Sequence, residues 1–329
     1  MPDNVTSMMF NDENGPPWHG KGEPVKGLAT ARECIRAAGL DWDVAKIPLR
    51  IGDEGGLPVH GKMVTVRTDL LQTNPSRILG VVGDEYKPLQ NWEAFGFFDK
   101  VIEQGAAIYE TAGAIENGKR IWLLTKLPSN IVPIRGDEVI PYILLANGHD
   151  GLLMVHIKFT PIRVVCQNTL AMALKEESGR HVAVRHTRNL QNRLNDAAIL
   201  MGIIKSTVKK AETLWSRMVK RELRDKNVEI YFRSVFGGKE EDQRDDENDL
   251  PQRPLTGLKK KAMENFESDD NKRLRIHGTL WAAYNAAIWA VDRGRNSQKD
   301  RVDDLCIGEG AHIKEKAMTE AEKLLYAFN

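Results

Sequence analysis

The sequence predicts an α+β protein: an antiparallel sheet from hairpins in the N-terminal half, then a mostly helical C-terminal half. Three observations predict it. Apolar and polar residues alternate over 44–49, 63–67 and 108–127, the period of a half-buried strand. Asn117-Gly118 interrupts the last of these runs, and Asn-Gly between alternating runs is the strongest short-range hairpin signal. Beyond Asn189 the apolar residues recur at a spacing near 3.6.

Taken in order, residues 1–26 read as an irregular N-terminal arm, because Gly15-Pro16-Pro17-Trp18-His19-Gly20-Lys21-Gly22 precludes regular structure. Trp18 is expected to plug this arm onto the core. Residues 30–38 form a short helix, with Thr30 as cap, Glu33 three residues on and Gly39 as stop. Strands follow at 44–49, 63–67 and 78–82. A helix over 91–104 carries Trp92, Phe95, Phe98, Val101 and Ile102 at helical spacing. The hairpin 108–115/120–127 turns at Glu116-Asn117-Gly118-Lys119. A second hairpin, 139–146/152–160, turns at Asn147-Gly148-His149-Asp150-Gly151. Residues 162–175 are expected to leave the sheet and become helical. Helices are also predicted at 189–225, 255–266, 279–291 and 311–328. The domain reading is an α+β core over 27–236 with a basic sheet-to-helix junction, an acidic, Pro-containing loop over 237–254, and C-terminal helices over 255–329 that pack on the core.

Of 329 residues, 41% are hydrophobic and 28% charged, and the net charge is +1. That leaves enough apolar material for a core and no global field to draw in nucleic acid or an anionic membrane, so any such attraction must come from local clustering. Cys34, Cys166 and Cys306 are odd in number and far apart. This argues against a disulfide framework or zinc cluster and fits free thiols in a reducing cytoplasm. The N-terminus lacks the charged-then-apolar pattern of a signal peptide, and no apolar run approaches the ~20 residues of a membrane helix.

Searching for chemistry yields little. Zinc needs three or four ligands at fixed local spacing; Cys166, His181 and His186 do not supply it, and the five-residue gap between the histidines is poor for one helical face. The bland reading makes Cys166 a small buried residue and the histidines polar surface. Gly52-Asp53-Glu54-Gly55-Gly56 lacks the Lys-Ser/Thr of a phosphate loop. Gly308-Glu309-Gly310 opens a helix, whose amides can hold a phosphate, although an ordinary helix start explains it as well. Trp281, Tyr284, Ile288 and Trp289 have core-helix spacing; stacking on bases beside Arg273, Arg275, Arg293 and Arg295 is the alternative. No catalytic residue, metal ligand or cofactor site is therefore assigned, and the sequence weighs against an enzyme.

One stretch stands out by charge. Between Lys158 and Arg193 lie Arg163, Lys175, Arg180, Arg185 and Arg188, with His181 and His186, while the only acids are Glu176 and Glu177. A chain of balanced charge thus concentrates its bases in one place and its acids elsewhere, many of them over 239–249. Arg163, Lys175, Arg180, Arg185, Arg188 and Arg193 are the candidate nucleic-acid-binding residues, able to grip phosphates in a salt-dependent way. The competing reading is a solvated face paired with acids elsewhere.

Several motifs together resemble a known family: Pro17-Trp18-His19-Gly20-Lys21-Gly22, the run from Ile162 to Leu170 (Ile-Arg-Val-Val-Cys-Gln-Asn-Thr-Leu), Arg185-His186-Thr187, Gly278-Thr279-Leu280-Trp281-Ala282-Ala283-Tyr284-Asn285-Ala286, and Gly308-x-Gly310-Ala311-x-Ile313-Lys314. In this order, over nearly the whole chain, they resemble the phage/plasmid-like protein family, also called the domain of unknown function 932. The resemblance implies a mobile-element protein in a bacterial cytoplasm and brings no activity, cofactor or catalytic residue with it. Hairpins followed by a basic helix are also similar to the arrangement in phage single-strand annealing proteins, a likeness of fold only. The expectation is therefore a phage- or plasmid-encoded nucleic-acid-binding protein, with single-stranded DNA favoured, serving replication or recombination. It has no membrane partner and is compatible with a homo-oligomer. The alternative is a non-enzymatic accessory or anti-defence protein that binds a host protein.

Overall fold

The computed structural model describes residues 5–14, 22–52, 56–102, 108–163, 168–169, 181–188, 190, 192, 204–237, 256–294 and 309–327. In chain order the first elements are β1 (Val5–Asn11), β2 (Glu23–Val25), α1 (Ala31–Ala37), β3 (Val44–Ile51), β4 (Leu57–Arg67), β5 (Ile78–Gly83), α2 (Asn91–Ile102), β6 (Ile108–Ile115) and β7 (Arg120–Lys126). Next come β8 (Ile131–Ile134), β9 (Asp137–Ile140), β10 (Tyr142–Gly148), β11 (Val155–Phe159), β12 (Ile162–Arg163), β13 (Asn168–Thr169) and β14 (His181–Val184). Helices follow: α3 (Ile204–Lys220), α4 (Asp225–Phe236), α5 (Thr256–Phe266), α6 (Asp269–Arg273), α7 (Leu280–Gly294) and α8 (Glu309–Tyr326). Strands dominate the N-terminal half and helices the C-terminal half, so the protein is α+β.

The chain forms two compact units, and each takes in discontinuous segments. The first comprises Met1–Pro128, Tyr142–Phe159 and Ser178–Lys205; the second comprises Ser129–Pro141, Thr160–Glu177 and Ser206–Asn329.

The first unit holds a seven-stranded sheet, order β14-β11-β10-β7-β6-β1-β2, and a three-stranded sheet, order β3-β4-β5. Every pairing is antiparallel except the parallel β1–β2 contact. The predicted hairpin at 108–127 is present as β6 and β7, with Ile115 opposite Arg120. Its turn places Glu116, Asn117 and Gly118 at φ of 50°, 60° and 99°, a left-handed path that Asn and Gly tolerate best. β10 is buried at every position, as expected of a central strand covered on both faces. α1 carries the predicted capping box: Thr30 Oγ1 accepts from the Glu33 amide, and the Glu33 carboxylate accepts from the Thr30 amide. The small sheet packs one face against the turn after β10, where Thr65 Oγ1 donates to the His149 carbonyl at 2.7 Å. A Cβ on Gly80 would meet the Asp150 carbonyl oxygen at 2.5 Å, so this contact needs a glycine.

The second unit pairs a four-stranded antiparallel sheet, order β13-β12-β9-β8, with α3 to α8. Its core helix is α7, where Leu280 to Ile288 are all buried. Trp281 settles as core, not as a base-stacking platform. Its ring lies 5.4 Å from that of Trp215, and its Nε1 donates to Asp137 Oδ2 at 2.7 Å. Tyr231 on α4 donates to the Ala317 carbonyl of α8.

Several expectations need correction. The N-terminal arm is not irregular throughout, since Val5–Asn11 is a strand beside β6. The described parts of 162–175 are strands, not helix: Ile162 faces Thr169, Arg163 faces Asn168, and β12 also pairs with β9. Ile162 and Thr169 are β-branched and favour the pleated surface. The strand expected over 139–146 breaks at Pro141, which offers no amide to a ladder, and Val139 and Ile140 join the other sheet. The helix expected over 189–225 is seen as α3 and stops before Arg221. Glu222 forms a bridge to Thr279, and α4 starts at Asp225. Trp92, expected on the buried stripe of α2, is 60% exposed; Asn91, Ala94 and Phe95 form the buried face. Trp18, Cys166 and residues 239–249 lie outside the described residues.

Candidate nucleic-acid interface

Apart from Arg163, the described part of the basic stretch lies on β11, on the edge strand β14 and on the turn after it. In β11 the residues Val155, Ile157 and Phe159 are buried while His156 and Lys158 are half-buried. His156 lies opposite Ala183 of β14 and Lys158 opposite His181. Alternation carries Arg185, two residues past Ala183, toward the same side.

After β14 the chain is pinned. The Lys87 amide donates to the His186 carbonyl at 3.0 Å, and His186 Nδ1 lies 3.0 Å from the Lys87 carbonyl. The imidazole stacks on Tyr86, with centroids 4.6 Å apart, and the Tyr86 hydroxyl donates to the Gly148 carbonyl at 2.7 Å. His186 is thus an interior anchor and not the polar surface residue expected. Its neighbours Arg185 and Arg188 point out and are exposed. Arg188 Nη2 contacts Glu85 Oε1 at 3.0 Å with both side chains well exposed. Such a pair contributes about 0–1 kcal/mol, so the guanidinium can exchange it for a phosphate.

Beneath this turn lies a polar cluster that the sequence did not reveal. Asn91 Nδ2 donates to the carbonyls of Leu40 and Trp42, so its Oδ1 must be the acceptor facing His149 Nε2 at 3.0 Å. That geometry assigns the His149 proton to Nε2. Nδ1 then has no partner among the described residues. Burial, with His186 and Arg67 nearby, pushes the imidazole down to about 3, so His149 is neutral at physiological pH. Burial also lowers His186, against the carbonyls of Lys87 and Leu153, which favour its charged form. These are supports for the turn, fixed by hydrogen bonds and rings.

Of the six predicted residues, Arg185 and Arg188 are brought together on this turn. Arg163 sits on β12, in the sheet of the second unit. Lys175, Arg180 and Arg193 lie outside the described residues. Exposed Lys87 is added to the basic groups, and exposed Asp84 and Glu85 add opposite charge. Among the described residues no three His, Cys, Asp or Glu side chains form a group able to hold a metal. No described helix is long and apolar enough to cross a membrane.

Cys34 is buried in α1, and burial pushes its thiol up to about 12. A thiol that far above neutrality holds almost no thiolate, the reactive form. Native protein is therefore expected to resist an aromatic disulfide reagent at Cys34 and to react there only after unfolding, as read by peptide mass spectrometry. Rapid modification of Cys34 in the folded chain would contradict this placement.

No curated protein and no solved structure matches the chain. A family profile described as Domain of unknown function (DUF932) matches residues 78–318. That span takes in the His186-anchored turn, the α7 segment and Lys314 of α8, which carry three of the motifs noted in the sequence. The chain belongs to the DUF932 family.

Proposed function

We propose that the protein binds nucleic acid, with single-stranded DNA favoured, as a phage- or plasmid-encoded factor in replication or recombination in a bacterial cytoplasm. One observation carries the reading: Arg185 and Arg188 are exposed on a turn that His186 locks to Tyr86 and Lys87. A turn that is already fixed need not be ordered on binding, and guanidinium groups donate in pairs to phosphate oxygens. The density of bases from Lys158 to Arg193 supports it, as does Trp92. This exposed aromatic opens α2, only five residues after Lys87, and bases stack on such a ring only when they are unpaired. Arg163, Lys175, Arg180 and Arg193 are the further phosphate contacts of this reading.

The test is a salt-titrated binding assay on single- and double-stranded oligonucleotides. Single strands should bind more tightly, with a log–log salt slope of roughly −0.7 per phosphate contact. Replacing Arg185 and Arg188 together by alanine should flatten that slope and weaken binding to all sequences. The thermal midpoint should barely move, since both side chains are exposed. Trp92→Ala should cost roughly 1–3 kcal/mol on single strands alone. Failure to bind either oligonucleotide at low salt would sink the proposal. The mixed charge around Arg188, with Asp84 and Glu85 exposed beside it, favours the second reading in that event: an accessory protein that binds a host protein.

A further inference from the structure

The outward face of α3 carries bases and no acid. Ala211, Trp215 and Met218 share the buried side of this helix. Helical periodicity groups Lys209, Lys210, Thr213, Arg217 and Lys220 on the opposite side. Lys209, Lys210, Thr213 and Lys220 are exposed. Glu212, the one acid of α3, is also exposed but lies about 100° round the helix from the centre of this face. α8 repeats the pattern. His312, Lys316, Thr319, Lys323 and Tyr326 recur at i, i+4, i+7, i+11 and i+14 and are all exposed, with Ala317, Met318, Ala321 and Leu325 buried opposite. Of the acids of α8, Glu309 is exposed at the helix start, while Glu315, Glu320 and Glu322 are half-buried. Glu320 takes Lys323 at 2.7 Å, and Glu315 lies 3.8 Å from His312.

The two faces meet at one contact. The Arg217 guanidinium of α3 lies over the Tyr326 ring of α8, 4.8 Å from its centroid, and Nη1 is 3.4 Å from the hydroxyl. The ring is still 52% exposed, so the cation steadies it and leaves it reachable. Lys209, Lys210, Lys220 and Lys316 have no ion-pair partner among the described residues. Their charge is uncommitted, unlike that of Lys323. Together these features name the occupant. Ammonium groups in a row attract a polyanion. An exposed aromatic among them offers a stacking surface that only an unpaired base can use. A duplex or an acidic protein segment would satisfy the lysines and leave Tyr326 idle. α3 has 17 residues and runs for about 25 Å, long enough for a single-strand site of several nucleotides. We propose that the α3–α8 face of the second unit is a further binding site for single-stranded nucleic acid. This rests on the nucleic-acid reading above and adds to it a site on the other unit.

The experiment titrates a fluorescent oligothymidine of about 12 nucleotides into the full-length chain at several salt concentrations. Replacing Lys209, Lys210 and Lys220 together by glutamate should lower affinity at least roughly tenfold near 0.1 M salt and flatten the salt slope. Tyr326→Ala should cost at least about fivefold on the single strand and nothing on a duplex of the same length. Tyr326→Phe keeps the ring and should bind like wild type. Unchanged thermal midpoints establish that the variants fold; Lys316→Glu, with an expected loss of about threefold, replaces the triple variant if that one does not. Arg185→Ala with Arg188→Ala separates this site from the turn of the first unit. If that variant alone loses affinity, the α3–α8 site is overturned and the turn stands. If the α3 and Tyr326 variants alone lose it, the turn fails and this site stands; loss in both sets supports two sites. The proposal is also overturned if the wild-type chain binds no oligothymidine, or if Tyr326→Ala weakens single strand and duplex alike. Polyglutamate displacing the oligonucleotide as well as unlabelled oligothymidine does would overturn it too.

Discussion

Asp292→Ala is expected to destabilise the second unit by about 3–5 kcal/mol, the cost of removing one partner of a buried ion pair. Lys314 of α8 is 2% exposed, and its Nζ donates to Asp292 Oδ1 of α7 at 3.1 Å. A lysine this deep keeps its charge only if an anion replaces the lost water. With alanine at 292 the ammonium would have to deprotonate or drag water into the contact between two core helices. Removing both charges differs from removing one. Asp292→Leu combined with Lys314→Met should recover most of the loss, because well-packed apolar side chains often match a buried pair. Urea unfolding followed by tryptophan fluorescence suits the test, since Trp215 and Trp281 are buried in this unit. A single-variant loss below about 1 kcal/mol, the range of an exposed pair, would show that the contact contributes little. The same geometry explains the motif that ends in Lys314. Gly310 lies in the first turn of α8, and the lysine is turned inward to an aspartate rather than offered to a phosphate.

The elements that could be read in advance are those whose signal is local. The β6–β7 hairpin follows from alternation and Asn117-Gly118, and α1 follows from Thr30, Glu33 and Gly39. α7 reads as core because Trp281, Tyr284 and Ile288 recur on one face of a helix. What was missed depends on partners distant in sequence. β1 is short and mixed, and nothing within it announces that Met9 will lie opposite Ala112. Nor does periodicity show that β9 and β10, separated by Pro141 alone, belong to different sheets. On α2 the expected stripe holds at Phe95, which is buried, and fails at Trp92; the inner face also contains a polar residue. Asn91 is buried to hold Leu40, Trp42 and His149, and a search for apolar spacing passes over it. Val228, Tyr231, Phe232, Val235 and Phe236 carry a helical period that the expectation of a single helix over 189–225 passed over, so α4 was missed although its signal is local. At the candidate interface, charge density pointed to Arg185 and Arg188. The opposing Glu85 and the anchoring role of His186 arise only when the Asp84–Lys87 segment folds against β14.

Lowering the pH from about 7 to about 5 is expected to cost the first unit about 2 kcal/mol through His149 alone. The sign follows from proton counting. In the unfolded chain His149 titrates near 6.5, while in the folded chain burial holds it at about 3. Below 6.5 the unfolded state therefore binds more protons, and stability falls with pH across that window, levelling off only below about 3. The structural cause is specific. Nε2 already carries the proton shared with Asn91, so a second proton must go to Nδ1, which has no acceptor among the described residues. His186, also lowered by burial, adds in the same direction. Carboxylates contribute to any acid transition, so the diagnostic comparison is between wild type and His149→Gln. The variant should be less stable near neutrality by about 1–3 kcal/mol, since it disturbs a buried hydrogen bond. Its stability should fall less steeply between about pH 6.5 and pH 4. Chemical denaturation at a series of pH values measures both effects. Parallel pH profiles for the two proteins would mean that His149 accepts its second proton in place, and the buried neutral imidazole would have to be abandoned.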